Sequence, residues 1–145
     1  MKDHYRKTPL AGTSYNLKVC AAFIQMDKKL LMLQRSLLSS QPLKWCMPGG
    51  KVKVGEDIVN AMIRELREET SLRVKTMRHL LKRYVCVEEV PYELHIFEIR
   101  ADGILKINEE SVDYDWIDLL SFPFLDTMRF QKRLIVESWY FSQFS

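Results

Sequence analysis

One helical stretch, set between extended ones, constrains this chain more than any other feature. From Glu56 to Thr70 the apolar residues Ile58, Met62 and Leu66 recur at helical spacing, joined by Val59 and Ile63. That period lays an apolar stripe along one side of a helix. Glu56 and Asp57 fall in the first turn, where the helix dipole favours negative charge. Ser71 ends the stretch. Just upstream, Pro48-Gly49-Gly50 breaks the short apolar run Trp45-Cys46-Met47, so a tight loop leads into the helix.

Extended segments lie on both sides. Asn16 to Ile24 is rich in apolar and β-branched residues and reads as a buried strand. Met26-Asp27-Lys28 reads as a turn, and Lys29 to Gln34 as the second strand of a hairpin. Ser36 to Lys44 is a polar loop. Tyr84 to Val87 and Tyr92 to Ile99 read as strands paired across Glu88-Glu89-Val90-Pro91. Tyr114 to Ile117 is a further short strand. Thr127 to Tyr140 predicts a closing helix with Met128, Leu134, Ile135 and Trp139 on its apolar side. Strands around a central helix, then a closing helix, predict a mixed α/β (α+β) domain built as a sandwich. The 145 residues fit one domain, 1–145, with residues 1–15 as a loose N-terminal arm.

Composition narrows the function classes. A net charge of +3 is too mild to argue for nucleic acid by itself. The three cysteines, Cys20, Cys46 and Cys86, form no CxxC pair and suit a reducing compartment. His4, His79 and His95 lack zinc-ligand spacing. The first residues lack the apolar core of a signal peptide, and no run approaches a membrane span. The expectation is a cytoplasmic protein.

Chemistry concentrates on the central helix. Glu65, Glu68 and Glu69 fall within an arc of roughly 100°. Like charges at that spacing repel by a few tenths of a kcal/mol per pair. Such a face is either solvated, with Arg64, Arg67 and Arg73 as neighbours, or occupied by a cation. The glycine loop upstream favours the cation, because glycine backbone can turn its polar groups toward a ligand. Carboxylates with backbone oxygens suit a hard cation such as Mg²⁺. Lys51, directly after the glycines, can meet a phosphate as a point charge.

These residues resemble a known family motif. Gly50, five residues, Glu56, seven residues, then Arg64-Glu65-Leu66-x-Glu68-Glu69-x-Ser71-Leu72 resembles the Nudix box, with Ser71 standing where the family has glycine. The lead-in Trp45 to Gly50 and the late Trp116 are also similar to that family. The resemblance implies a strand–loop–helix unit in an α/β/α sandwich. It implies hydrolysis of a nucleoside diphosphate linked to another group. It further implies Mg²⁺, with Mn²⁺ as a substitute, held by Glu65, Glu68, Glu69 and the Gly49 carbonyl. Arg64 would orient Glu65, and Glu56 would brace the loop.

The catalytic base is Glu65 or Glu69 on this reading. In several relatives it lies on a later loop, which makes Glu109 and Glu110 candidates for a further ligand or base; the alternative is a solvated acidic turn. Arg35, ending the second strand, either touches a phosphate or is a surface arginine. Asp126 is either the N-cap of the last helix or a reader of the base edge, as in the mutator-type enzymes that the resemblance brings in. The expected substrate is a nucleoside triphosphate, oxidised forms included, cut to a monophosphate. Alternatives are the 5′ end of an RNA, a nucleotide sugar or ADP-ribose, and a nucleotide-sensing module without turnover. A homodimer is left open, and no membrane partner is expected.

Overall fold

The alternation of β2 (Leu17–Phe23) organises the molecule. Its successive side chains point to opposite sides, so Cys20 and Ala22 enter one apolar cluster while Ala21 and Phe23 enter another. The computed structural model describes residues 1–144. In chain order, β1 (His4–Arg6) and β2 precede β3 (Gln25–Met26) and β4 (Lys29–Arg35). Next come β5 (Trp45–Cys46), β6 (Gly49–Lys51) and α1 (Ile58–Thr70). They are followed by β7 (Arg73–Val87), β8 (Val90–Asp102), β9 (Ser111–Asp118) and α2 (Gln131–Ser142).

Five strands form a mixed sheet in the order β1-β7-β8-β2-β6, with β2 parallel to β8. A smaller antiparallel sheet is built on β4, which pairs with β3, β5 and β9. Met62 and Leu66 of α1 pack with Cys20, Ala22, Phe97 and Ile99. Leu134 and Ile135 of α2 pack with Ala21, Phe23 and Ile96. The two helices therefore cover the two faces of the central sheet, the mixed α/β sandwich that the sequence predicts. All three cysteines are buried and free, and burial pushes the Cys20 and Cys46 thiols up to about 12.

Several boundaries differ from the expectations. The N-terminal segment is not simply a loose arm: His4–Arg6 pairs with β7, and Tyr5 is buried with its hydroxyl donating to Glu137. The predicted hairpin is also different. β2 belongs to the five-stranded sheet, and only β3 turns back on β4, through Asp27 and Lys28 at positive φ. Val59 and Ile63 of α1 remain 42% and 39% exposed. The later hairpin runs much further than expected, over the whole of β7 and β8.

The last helix starts at Gln131 rather than Thr127, for a visible reason. The Trp45 N–H donates to the Asp126 carbonyl at 2.9 Å, and the Met128 N–H donates to the Trp45 carbonyl at 2.9 Å. Strand-like pairing with Trp45 holds 126–128 extended, and Phe130 at φ 70° then turns the chain into α2. Among the described residues, no helix is long and apolar enough to cross a membrane.

The end of α1 gives a direct test. Ser71 adopts a left-handed conformation at φ 63° while its N–H donates to the Arg67 carbonyl at 2.9 Å. A residue with a Cβ costs about 1 kcal/mol there relative to glycine. Ser71→Gly should raise Tm by about 3 °C, measured by calorimetry. An unchanged or lower Tm would mean that the strain is relieved elsewhere.

Candidate metal and substrate site

Helix α1 owes its start to Asp57, which caps it by accepting from the N–H groups of Val59 at 2.7 Å and Asn60 at 3.3 Å. From that start the helix carries its glutamates to unequal depths. Glu69 lies ~20° round the axis from Met62 and Glu68 ~120°. Glu69 is accordingly buried, whereas the Glu68 side chain is 50% exposed.

Arg64 ties the loop to the helix. Its Nε and Nη2 donate to the two carboxylate oxygens of Glu56, at 2.8 and 2.9 Å. Its Nη1 donates to Glu65 at 3.0 Å and Glu68 at 3.1 Å, and its Nη2 also reaches the Lys51 carbonyl at 3.1 Å. Glu56 accepts from the Lys53 N–H as well, at 3.0 Å. The Arg64 guanidinium, helped by that N–H, holds the Glu56 carboxyl down to about 2. Arg64 thus holds the Glu65 carboxylate and ties Glu56 and the Lys51 backbone to the helix.

Carboxylate oxygens of Glu65, Glu69 and Glu110 lie within 4.8 Å of one another. Glu110 comes from the turn before β9, so the tertiary fold brings it to the helix. Glu109 and Glu68 are not in this trio, although both raise the Glu110 carboxyl through their charge, after burial and Glu65. Glu69 is pushed well above the usual carboxylate range, first by burial and then by the charges of Glu65 and Glu110. The Gly49 N–H, donating to Glu69 at 3.1 Å, opposes that shift.

Does this set fit a cation? Three carboxylates converge and one is desolvated, a state that the protein alone disfavours and that a positive ion would relieve. The donors are all oxygen, which suits Mg²⁺ or Mn²⁺ rather than a soft metal. The residues fit the group.

Both glycines are needed for close approach. A Cβ on Gly49 would stand 2.1 Å from the Cys20 carbonyl oxygen, and one on Gly50 would stand 2.5 Å from the Glu65 carboxyl. The first clash is with backbone and the second with a side-chain tip.

A cavity of about 360 Å³ opens beside the cluster, with Gly50, Lys51 and Arg35 on its wall. The Arg35 guanidinium is held by Ser40, with Nε at 2.8 Å from the carbonyl. Asp126 is elsewhere. It does not cap α2 and does not line this cavity; its carboxylate accepts from Lys44 Nζ at 2.7 Å. The backbone pairing with Trp45 that delays the helix also explains the lost cap. Sequence reasoning missed Gln41, Met128, Phe130 and Gln131, all on the cavity wall. Gln131 Oε1 accepts from the Met47 N–H at 3.0 Å, a partner 84 residues away that no local pattern reveals.

Residues 14–138 match the family model described as NUDIX domain. The chain belongs to the Nudix hydrolase family. It is 43% identical over 94 residues to the CTP pyrophosphohydrolase of Escherichia coli K12, covering 64% of this chain and 70% of that protein. It is 31% identical over 107 residues to the ADP-ribose pyrophosphatase of Methanocaldococcus jannaschii, covering 69% of this chain. That match spans only 60% of the archaeal protein's length. The solution structure of the Escherichia coli ORF135 protein superposes with a TM-score of 0.75 at 25% identity, over 94% of this chain and 96% of that one.

Gly50→Ala should keep the fold, with Tm within a few degrees, but weaken divalent-cation binding about tenfold or more by displacing Glu65, as titration calorimetry would register. Gly49→Ala should instead lose about 3 kcal/mol of stability to the backbone clash. The folded protein keeps a proton on Glu69 that the unfolded chain releases in the ordinary carboxylate range. This stability is complete below that range and is lost as pH rises through the folded value. A bound cation replaces the proton, so Mg²⁺ should raise Tm more at pH 8.5 than at pH 6. At roughly one hundred times Kd the gain is ~2.7 kcal/mol. Equal Tm increments at both pH values would contradict the assignment.

Proposed function

We propose that the protein is a Mg²⁺-dependent pyrophosphohydrolase that cuts a nucleoside triphosphate to a monophosphate and pyrophosphate. The observation that carries this reading is the trio Glu65, Glu69 and Glu110, next to a cavity with cationic Lys51 and Arg35 on its wall. The relatedness to a CTP pyrophosphohydrolase over 70% of that enzyme supports a triphosphate as the substrate.

Glu65, Glu68, Glu69 and Glu110, with the Gly49 carbonyl, are the groups that would hold the metal. When bound, Mg²⁺ would neutralise phosphate oxygens and lower the pKa of a water. The chain's own residues supply the rest. Arg64 fixes the Glu65 carboxylate, so the oxygen facing the cluster does not need to be ordered during the reaction. Lys51 and Arg35 meet the phosphates, Lys51 as a point charge and Arg35 as a planar fork. Water attacks a phosphorus, the P–O bond to the departing phosphate group breaks, and the water's proton passes to a carboxylate of the trio. Glu65 and Glu69, whose oxygens face the cluster, are the candidates for that acceptor.

The test is a panel of nucleoside triphosphates, oxidised nucleotides, nucleotide sugars, ADP-ribose and triphosphorylated RNA, assayed with Mg²⁺ and with products identified. Triphosphates should give monophosphate plus pyrophosphate. Glu65→Gln and Glu69→Gln should each lower kcat by about 10²-fold or more with the fold intact by circular dichroism. Undiminished turnover in both variants would refute the site. A higher kcat/KM on ADP-ribose than on any triphosphate would refute the substrate class.

A further inference from the structure

The cavity wall carries two primary amides whose orientation is fixed by backbone donors. Gln131 Oε1 accepts from the Met47 N–H at 3.0 Å, and Gln41 Oε1 accepts from the Arg129 N–H at 3.0 Å. A backbone N–H can only donate, so in each case the carbonyl end of the amide must face it. The two amino ends are turned the other way. Neither Nε2 makes a hydrogen bond among the described residues, and neither is a sealed, orphaned atom. Both residues line the cavity.

Of the remaining polar side chains of this wall, Arg35, Lys51 and Arg129 only donate, and the Ser40 and Tyr92 hydroxyls can do either. Glu88 is the single carboxylate on the wall among the described residues, and it is exposed at the β7–β8 turn. The rest is largely apolar or aromatic, including Val85, Leu94, Tyr92 and Phe130. Phe130 is held at φ 70°, a conformation that costs a bulky residue energy. A cavity of about 360 Å³ with an apolar lining and a few fixed donors is of the size and chemistry that takes a flat heterocycle.

Resting on the nucleotide reading above, we infer that Gln131 Nε2, assisted by Gln41 Nε2, reads a carbonyl oxygen on the substrate's base, so the pocket selects keto-bearing bases against adenine. Adenine carries no carbonyl. Its exocyclic amine would set a donor against these donors at the position where a carbonyl would accept, a mismatch that lowers affinity. Gln131 is thus a specificity residue at the base, outside the carboxylate trio.

ITP and ATP isolate this contact, because they differ in the purine 6-substituent, carbonyl against amine. The intact protein should show kcat/KM for ITP at least about tenfold above ATP. IMP should bind more tightly than AMP by a similar factor in calorimetry. Gln131→Glu keeps the acceptor for Met47 but replaces the free donor by an acceptor. It should lower ITP turnover about tenfold and narrow or invert the ITP:ATP ratio, while Gln41→Glu should shift the ratio in the same direction by less.

If Gln131→Glu does not fold, as judged by its Tm, the wild-type ratios and Gln41→Glu decide alone. Equal handling of ITP and ATP by the wild type, or an unchanged ratio in the folded variants, overturns base reading. Monophosphates contain no pyrophosphate bond, so the two proposals fail separately. IMP preference without any hydrolysis would sink the enzymatic reading and keep the pocket. Hydrolysis without ITP preference would do the reverse.

Discussion

The site depends on one guanidinium. Arg64 is the point where the loop after β6 and the helix α1 are joined, through two bonds to Glu56, one to the Lys51 carbonyl and one each to Glu65 and Glu68. It balances part of an acidic helix face that would otherwise repel itself. It also fixes the carboxylates by direction as well as charge, since a planar fork bonds only along set lines. A lysine would supply the charge without this geometry. Glu69, which Arg64 does not reach, is the group whose ionisation burial and its neighbours oppose.

Glycine packing sets the distance between loop and helix. At Gly49 the strand β6 lies directly against the backbone of β2, and at Gly50 the Glu65 carboxyl fills the space of a missing side chain. The helix can then approach the sheet closely enough for Met62 and Leu66 to reach the apolar cluster at full burial. Acid and core are positioned by the same close contact. Ser71, standing at the helix end in place of the family's glycine, costs conformational energy but replaces none of the carboxylates.

Much of this was legible in the sequence where periodicity and spacing carry the information. The helix and its apolar stripe follow from a 3.6-residue repeat, and Arg64, Glu65, Glu68 and Glu69 stand out through the resemblance to the family box. The unequal burial of the three glutamates follows from the repeat too, once the angle to Met62 is counted. What depended on distant pairing was illegible. Asp126 looks like a helix cap, yet Trp45, far upstream, claims the backbone around it. The first residues look unstructured, yet β7 offers His4–Arg6 an edge. Glu110 was one of two candidates on a loop, and only the fold separates it from Glu109. Gln131 carries no motif at all, because its partner is a backbone N–H in another segment.

That last bond has a mechanical meaning. Met47 donates to Gln131, and two residues later Gly49 donates to Glu69. The wall of the cavity and the buried acid therefore hang on one short stretch of backbone, rigid because Pro48 lies between them. A ligand that shifted the Gln131 contact would act on the same segment that seats Glu69, and any coupling between the two would be reciprocal.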